Sequence, residues 1–110
     1  MSEPIVPSTA ALKKYGMDQY DWVTLLNAQQ GRCEICTRTL TRLRVPVVDH
    51  CHKTGEVRGL LCMPCNHALG VLHDDAEWLA NAAHYLRVTP ASWVFDEPRL
   101  HTNAPPKGER

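Results

Sequence analysis

Two Cys-x-x-Cys pairs constrain this chain more than any other feature. They comprise Cys33 with Cys36 and Cys62 with Cys65, and 25 residues separate one pair from the other. A spacing of two residues lets both sulfurs of a turn point to the same side, so two such turns can complete a tetrahedral zinc site. Four thiolates fill the coordination sphere and leave no position for water. The pattern therefore predicts a structural Zn²⁺ bound by all four cysteines.

The length of the chain makes such a metal useful for folding. With 110 residues, the chain is predicted to form one small domain. Its proline-rich and charged ends indicate a tail or short helix over residues 1–14 and a disordered tail over residues 96–110, which leaves residues 15–95 as the folded domain. A core of this size contributes only a few kcal/mol, whereas structural zinc can contribute on the order of 10–16 kcal/mol of apparent binding free energy.

Helix caps, apolar periodicity and turn residues together predict a small α+β fold. Asp18 can cap a helix in which several apolar residues share one face. A Lys-Thr-Gly turn separates two β-branched segments, as expected for a hairpin. The predicted helices cover about residues 9–15, 18–30, 66–72 and 74–87, and the predicted strands cover about 43–50 and 56–60.

A second group of polar residues lies beside the cysteine pairs. Asp49, His50 and His52 stand at the end of the first predicted strand, and Asn66 directly follows the last cysteine of the pairs. A histidine that titrates near neutrality can accept a proton from water, whereas carboxylate and amide oxygens are hard ligands suited to Mg²⁺. Strand alternation places His50 and His52 on one face, unless the strand bends. The same histidines could instead belong to a zinc shell or to a hydrogen-bonded core.

Charge and hydropathy narrow the choice of partners. Twelve basic and twelve acidic residues cancel, which argues against a general nucleic-acid binder. Basic residues nevertheless collect in the centre, where Arg38, Arg42 and Arg44 are candidates for contact with DNA phosphates, although a solvated hairpin explains the same charge. No segment approaches the ~18 apolar residues of a membrane span, and the N-terminus lacks a signal peptide. We expect a cytoplasmic protein without membrane contact, in which reduced thiols favour zinc over disulfides.

The run from residue 48 to 70, VDHCHKTGEVRGLLCMPCNHALG, resembles the recombination endonuclease VII family of phage-type HNH nucleases. The lead-in YGMD at residues 15–18 and the helix after it are also similar, so the resemblance extends roughly over residues 15–87. It implies a zinc-stapled domain with a ββα-metal core, also called a His-Me finger, flanked by helices. It further implies a metal-dependent endonuclease that hydrolyses phosphodiester bonds in DNA.

The resemblance implies a role for each polar residue at a matching position. His50 matches the general base that activates water, and His52 matches a second histidine that contacts phosphate or helps to order the metal. Asp49 and Asn66 match the residues that hold one divalent cation, Mg²⁺ or Mn²⁺, on the scissile phosphate. The position one helical turn after the asparagine is acidic in some members and is Leu69 here, so we expect fewer protein ligands for the cation.

Several alternatives stay open at this point. The DNA could be branched or duplex, the reaction junction resolution or nicking, and the protein a monomer or a homodimer, located in the host cytoplasm if it is phage-encoded. The rival interpretation is a non-catalytic zinc-ribbon module that binds DNA or a protein partner. Asp49, His50 and Asn66 favour the enzyme, because a binding module needs neither a base nor two hard ligands.

Overall fold

A computed structural model describes residues 2–106 and 108 of the chain. The helices and strands among these residues are α1 (Thr9–Lys13), α2 (Gln19–Ala28), β1 (Val47–His50), β2 (Val57–Leu61), α3 (Met63–Val71), α4 (Ala76–Arg87) and α5 (Pro90–Val94). Helices combined with a two-stranded sheet confirm the predicted α+β class. None of the described helices has the length and apolar content needed to cross a bilayer.

Residues 1–74 and residues 75–110 form two compact units. The sequence-based boundaries at residues 14 and 95, and the disordered tail after the second boundary, stay predictions. Those parts of the two predicted tails that fall on Met1, Lys107, Glu109 and Arg110 lie outside the described residues.

Helix α2 begins after Asp18 as predicted, because Asp18 and Asp21 form a reciprocal capping box. The Asp18 carboxylate accepts a hydrogen bond from the Asp21 backbone N–H at 2.7 Å, and the Asp21 carboxylate accepts one from the Asp18 N–H at 3.0 Å. The helix ends at Ala28, and Gly31 then adopts a left-handed conformation with φ 69°. This turn leads the chain into the first cysteine pair.

The core of the first unit combines apolar side chains with two cysteines of the Cys-x-x-Cys pairs. Its members are each at most 3% exposed: Leu12, Trp22, Cys33, Leu40, Leu60, Leu61 and Cys62. The last turn of α2 reaches this core through a polar residue. The Gln29 amide accepts a hydrogen bond from the Leu60 N–H and donates one to the Leu60 carbonyl, both at 2.8 Å. A side chain thereby satisfies backbone groups of β2 that an additional strand would otherwise pair with.

Strands β1 and β2 form an antiparallel hairpin whose register shifts near its turn. Asp49 lies opposite Gly59, whereas His50 lies opposite Val57. Arg58 is therefore the extra residue of a β-bulge on β2, and a bulge redirects side chains relative to simple alternation. This irregularity falls within the group of polar residues that the sequence singled out.

The predicted first strand is wrong over its first part, because β1 starts at Val47 rather than at residue 43. Pro46 has no N–H to donate to a strand partner. The Thr41 hydroxyl also accepts hydrogen bonds from the backbone N–H groups of Leu43 at 3.1 Å and Arg44 at 3.0 Å. These side-chain bonds hold the segment in a turn instead of a strand.

Helix α3 begins three residues earlier than predicted, at Met63. Cys62 is its N-cap and Pro64 lies in its first turn. Backbone N–H groups in the first turn have no acceptor within the helix, so a proline there costs no hydrogen bond. Asn66 therefore lies inside the helix, and its backbone N–H donates to the Cys62 carbonyl at 3.0 Å. The helix packs against β1, which positions Asn66 on an element next to the hairpin.

The second unit contains α4 and α5. Asp75 caps α4, since its carboxylate accepts a hydrogen bond from the Trp78 N–H at 3.0 Å. Asp74, the residue before this cap, is thus available for a different role. The chain leaves α4 at Arg87 as predicted, and Pro90 then starts α5, a short helix that the sequence pattern does not predict.

Candidate functional site

The four cysteines of the two pairs converge, as predicted. The sulfur atoms of Cys33, Cys36, Cys62 and Cys65 all lie within 4.8 Å of one another, and those of Cys36 and Cys62 are 3.7 Å apart. Zn–S bonds of about 2.3 Å in a regular tetrahedron would place sulfurs about 3.8 Å apart. All four are free thiols. The cluster is therefore positioned to bind a metal and is compatible with structural zinc.

Local backbone bonds hold each cysteine pair in place. The Cys33 N–H donates to the Arg38 carbonyl, and the Cys33 carbonyl accepts from the Thr37 N–H, both at 2.9 Å. Thr37 adopts φ 65°, which closes this turn tightly. Cys62 caps α3 and Cys65 lies in its first turn, so a helix end presents the second pair. Both halves of the site are built from short-range structure.

The shared environment of the thiols shifts their acidity in opposite directions. Burial opposes ionisation of Cys33, yet hydrogen bonds from the backbone N–H groups of Cys62, Cys36 and Ile35 lower the pKa of this thiol to about 6. Burial, together with hydrogen bonds to the neighbouring thiols, raises the pKa of Cys65 to about 12. Zinc binds thiolates and releases their protons. A bound cation would therefore remove the difference in acidity between Cys33 and Cys65.

Asp49 is a buried carboxylate whose partner is an arginine. Its side chain is 6% exposed, and Arg58 donates from Nε to Oδ2 at 2.7 Å and from Nη2 to Oδ1 at 2.9 Å. The bulge on β2 brings Arg58 to this carboxylate, where the planar guanidinium matches both oxygens. The bond to Asp49 raises the pKa of Arg58 above its ordinary value. The two hydrogen bonds from Arg58 thus hold the Asp49 carboxylate in a fixed orientation.

Asp74 links this ion pair to His52. The Asp74 Oδ1 accepts a hydrogen bond from Arg58 Nη2 at 3.2 Å, and its Oδ2 lies 2.9 Å from His52 Nδ1. The hydrogen bond with His52, and then the one with Arg58, lower the pKa of Asp74 below its ordinary value. We refer to the four side chains of Asp49, Arg58, Asp74 and His52 as the ionic chain.

The backbone at Asp74 is unusual for a residue that is not glycine. His73 has φ 55° and Asp74 has φ 56°, a left-handed conformation that few such residues adopt. The Asp74 N–H donates to the Leu69 carbonyl at 2.8 Å, which ties this turn to the end of α3. The tight turn fixes where the carboxylate of the ionic chain stands, and such conformations cluster at functional sites.

His50 is the last residue of β1 and lies beside two other rings. Its ring centroid is 4.9 Å from that of His52 and 6.0 Å from that of Tyr15. The two histidine rings contact each other, although β1 ends at His50 and His52 lies in the turn that follows it. His50 is half-buried, whereas the His52 side chain is 68% exposed. The cysteine cluster contains no histidine within the described residues, so the histidine pair is separate from that metal site.

Asn66 is half-buried on α3. Across residues 2–106, its amide makes no hydrogen bond to Asp49, His50 or His52. The structure therefore links three of the four predicted polar residues. His50 contacts His52 directly. Arg58 and Asp74 connect His52 to Asp49. The structure places the fourth on the helix that packs against β1.

Sequence reasoning does not identify Arg58 and Asp74 as members of this site. Arg58 reaches the site because of the bulge in β2. No residue pattern in β2 predicts that bulge. Asp74 has a weak signal: two consecutive aspartates precede α4, and only one of them can be its N-cap. The other aspartate is then left for a different partner, which in this fold is the pair of Arg58 and His52.

Comparison with known proteins yields a family and two relatives. A family model described as recombination endonuclease VII matches residues 8–88. The Gene 59 protein of Mycobacterium phage D29 is 43% identical over 90 residues, which cover 81% of this chain and 54% of that protein. The Gene 59 protein of Mycobacterium phage L5 is 41% identical over 90 residues, which cover 81% of this chain and 55% of that protein. The chain spans about half the length of these curated relatives.

Proposed function

This chain belongs to the recombination endonuclease VII family, and we propose that it is an HNH-type endonuclease that hydrolyses phosphodiester bonds in DNA with the help of a divalent cation. The family match confirms the resemblance of residues 48–70 and indicates a nuclease domain that acts on DNA. The catalytic assignment goes further and depends on the hairpin and the ionic chain.

The observation that carries the proposal is the environment of His50. Its ring is held against His52 and Tyr15, while none of the described side chains forms a hydrogen bond with its imidazole. A ring that is fixed in place and still has a nitrogen to offer is suited to take a proton from an attacking water. We therefore assign His50 as the general base.

Asp49 and Asn66 are the residues that would hold Mg²⁺ or Mn²⁺. Both offer oxygen ligands, and a carboxylate has about four lone-pair sites, of which the two bonds from Arg58 occupy two. The bound cation would supply charge stabilisation at the phosphate and at the leaving oxygen. Arg58 holds the Asp49 carboxylate in place, and Leu69 offers no further ligand.

His52 is proposed to contact the phosphate. The Asp74 carboxylate can only accept a hydrogen bond, which assigns a proton to His52 Nδ1 at the 2.9 Å contact. Nε2 is then the ring atom that can face substrate, on a side chain that is 68% exposed. Asp74 thus orients His52 toward the DNA, as second partners of active-site histidines commonly do.

The proposed substrate is branched or duplex DNA, cleaved by a monomer or a homodimer, and a phage-encoded protein would act in the host cytoplasm. One observation favours the rival, a non-catalytic zinc-ribbon module: Arg58 already neutralises Asp49 without any cation. The two functions differ in whether DNA is cleaved, and one variant separates them.

The test is His50→Ala, assayed on linear, nicked and four-way-junction DNA with Mg²⁺ or Mn²⁺. Loss of a positioned base should lower cleavage by about 10²–10⁴-fold, with zinc content and DNA affinity unchanged. His84→Ala, which removes a histidine from α4, is the matched control and should cleave like the unchanged protein. Cleavage by His50→Ala within a few-fold of the unchanged protein would place the base elsewhere. DNA binding without cleavage by the unchanged protein on every substrate would favour the binding module.

A further inference from the structure

The segment before β1 carries the most exposed large apolar side chain of the described residues. Leu43 is 93% exposed. Arg42 and Arg44 flank it in the sequence, and no acidic residue occurs over residues 37–48. In the free protein, the Leu43 side chain gains no free energy from burial, because it projects into solvent. A partner that covers this side chain would gain that free energy on binding.

The exposure of Leu43 belongs to an ordered turn. Thr41 is 3% exposed, and its hydroxyl accepts hydrogen bonds from the Leu43 and Arg44 N–H groups at 3.1 and 3.0 Å. The Thr41 N–H donates to the Arg44 carbonyl at 3.0 Å, and the Arg44 Nη1 donates to the Thr39 carbonyl at 3.1 Å. Because these bonds fix the turn, Leu43 is presented with little conformational freedom left to lose on binding.

Leu43 is also part of a larger apolar surface. It lines a groove of about 600 Å³ together with Val45, Met63, Arg38 and Arg44 among others. Val45 and Met63 are 58% and 62% exposed. Single exposed apolar residues are ordinary, whereas a contiguous group with a polar rim marks an interaction surface. The rim here is cationic, which complements a polyanion.

We propose that Leu43 is a wedge that inserts between bases of DNA at a nick or branch, while Arg42 and Arg44 contact the neighbouring phosphates. This inference rests on the DNA substrate proposed above. Duplex DNA offers stacked apolar base faces between phosphates, and apolar side chains are known to open a base step in this manner. Opening costs least where the bases are already unpaired or interrupted, so the wedge favours interrupted DNA over an intact duplex.

The groove lies close to the proposed catalytic residue along the fold. Val47 lines the groove and begins β1, and His50 ends this strand. Three residues of strand span about 10 Å, which corresponds to roughly three steps along a DNA strand. Because side chains alternate along a strand, Val47 shares its face of β1 with Asp49, the proposed cation ligand, so a wedge at the groove would distort DNA within a few base pairs of that cation.

The test measures affinity in a His50→Ala parent, in which the DNA stays uncut. Dissociation constants are compared for an intact duplex, the same duplex with one nick, and a four-way junction. Leu43→Ala should weaken binding to nicked and branched DNA by roughly tenfold, because the truncated side chain no longer buries its apolar surface between the bases, and should change intact-duplex binding little. Ile5→Ala is the matched control, because Ile5 is 69% exposed and lies outside the groove.

A fluorescent base analogue beside the nick reports the wedge directly. Its emission should rise on binding of the parent, because unstacking relieves quenching, and should stay low with Leu43→Ala. Arg42→Ala should instead weaken binding to all three DNAs and lower the salt slope by about one. Zinc content of each variant checks that the fold is intact.

The inference is wrong if Leu43→Ala binds every DNA as Ile5→Ala does, or loses affinity equally on intact and interrupted DNA. A change in molecular mass caused by Leu43→Ala would also overturn it, because the groove would then join two copies of the chain. These results leave the endonuclease proposal standing. That proposal fails separately, if the parent binds no DNA and the unchanged protein cleaves none.

Discussion

Replacing Arg58 by methionine should destabilise the first unit, because it leaves the Asp49 carboxylate buried without its partner. The Asp49 side chain is 6% exposed and that of Arg58 is 35% exposed. Removal of one member of a fully buried ion pair costs about 3–5 kcal/mol. Water reaches the exposed part of Arg58, so we expect a smaller loss of about 2 kcal/mol. For a domain of this size, that loss lowers Tm by roughly 10 °C.

The assay is a double-mutant cycle followed by thermal unfolding at a fixed zinc concentration. It compares the unchanged protein with Arg58→Met, Asp49→Asn and the protein that carries both substitutions. The double variant should be more stable than Arg58→Met alone, because a neutral amide leaves no uncompensated charge in the interior. If the two single effects simply add, Arg58 stabilises the fold by packing alone and the reasoning from the ion pair is refuted.

The same variants test the proposed cation without any activity measurement. In Arg58→Met, Mn²⁺ at Asp49 would supply the missing positive charge, and a ligand at 100 times its Kd stabilises by about 2.7 kcal/mol. Added Mn²⁺ should therefore recover most of the lost stability in Arg58→Met. It should do nothing for the variant that also carries Asp49→Asn. An equal response of both variants would show that the cation binds elsewhere.

Three further predictions concern the cysteine cluster, Asn66 and the ionic chain. Cys62→Ser should lose zinc and unfold. Cys51 lies outside the cluster, so Cys51→Ser should keep both the zinc and the fold. Metal analysis measures the zinc content of each variant, and circular dichroism measures its folding. Asn66→Ala should lower the cleavage rate at saturating DNA without unfolding the domain. Asn66→Asp keeps an oxygen ligand, so it should retain part of that rate with an altered Mg²⁺/Mn²⁺ preference. If Asn66→Ala loses only DNA affinity, Asn66 is not a ligand of the cation. The lowered pKa of Asp74 means that its carboxylate stabilises the fold above the ordinary value of 3.8 and loses this effect as the pH falls below it. Asp74→Asn should flatten that part of the pH dependence in urea unfolding, and an unchanged acid limb would contradict the ionic chain.

The parts of the site that the sequence predicts are those fixed by short-range geometry. Cysteines separated by two residues form a turn that presents both sulfurs, whatever the rest of the chain does. The same holds for helix starts elsewhere in the fold: Asp18 is the predicted cap of α2, and the start of α4 is predicted to within one residue, at Asp74 or Asp75. In each case the relevant partners are within a few residues, so local bonding decides the outcome.

The parts that the sequence does not predict depend on partners far along the chain. Arg58 reaches Asp49 only because β2 contains one residue more than β1 at that point. In the sequence, Gln29 is a polar residue at the end of an apolar helix face. In the structure, its side chain forms hydrogen bonds with the backbone N–H and carbonyl of Leu60, 31 residues away. Simple alternation and helical periodicity carry no information about either contact. The early start of α3 is a milder case, because Pro64 permits a first turn without requiring one.

The cysteine cluster, which is positioned to bind a metal, takes no part in the proposed chemistry, yet the elements that carry the proposed catalytic residues depend on it. Cys62 directly follows β2, is buried in the same core as Leu60, and caps the helix that carries Asn66. Loss of zinc should therefore disturb the strand that holds Arg58 and the helix that holds Asn66 in one event. Chelation is expected to abolish DNA binding and cleavage together, whereas His50→Ala should lower cleavage and leave DNA binding unchanged. If zinc-free protein still bound nicked DNA with unchanged affinity, the cluster would not organise the hairpin, and the groove beside Met63 would need another source of rigidity.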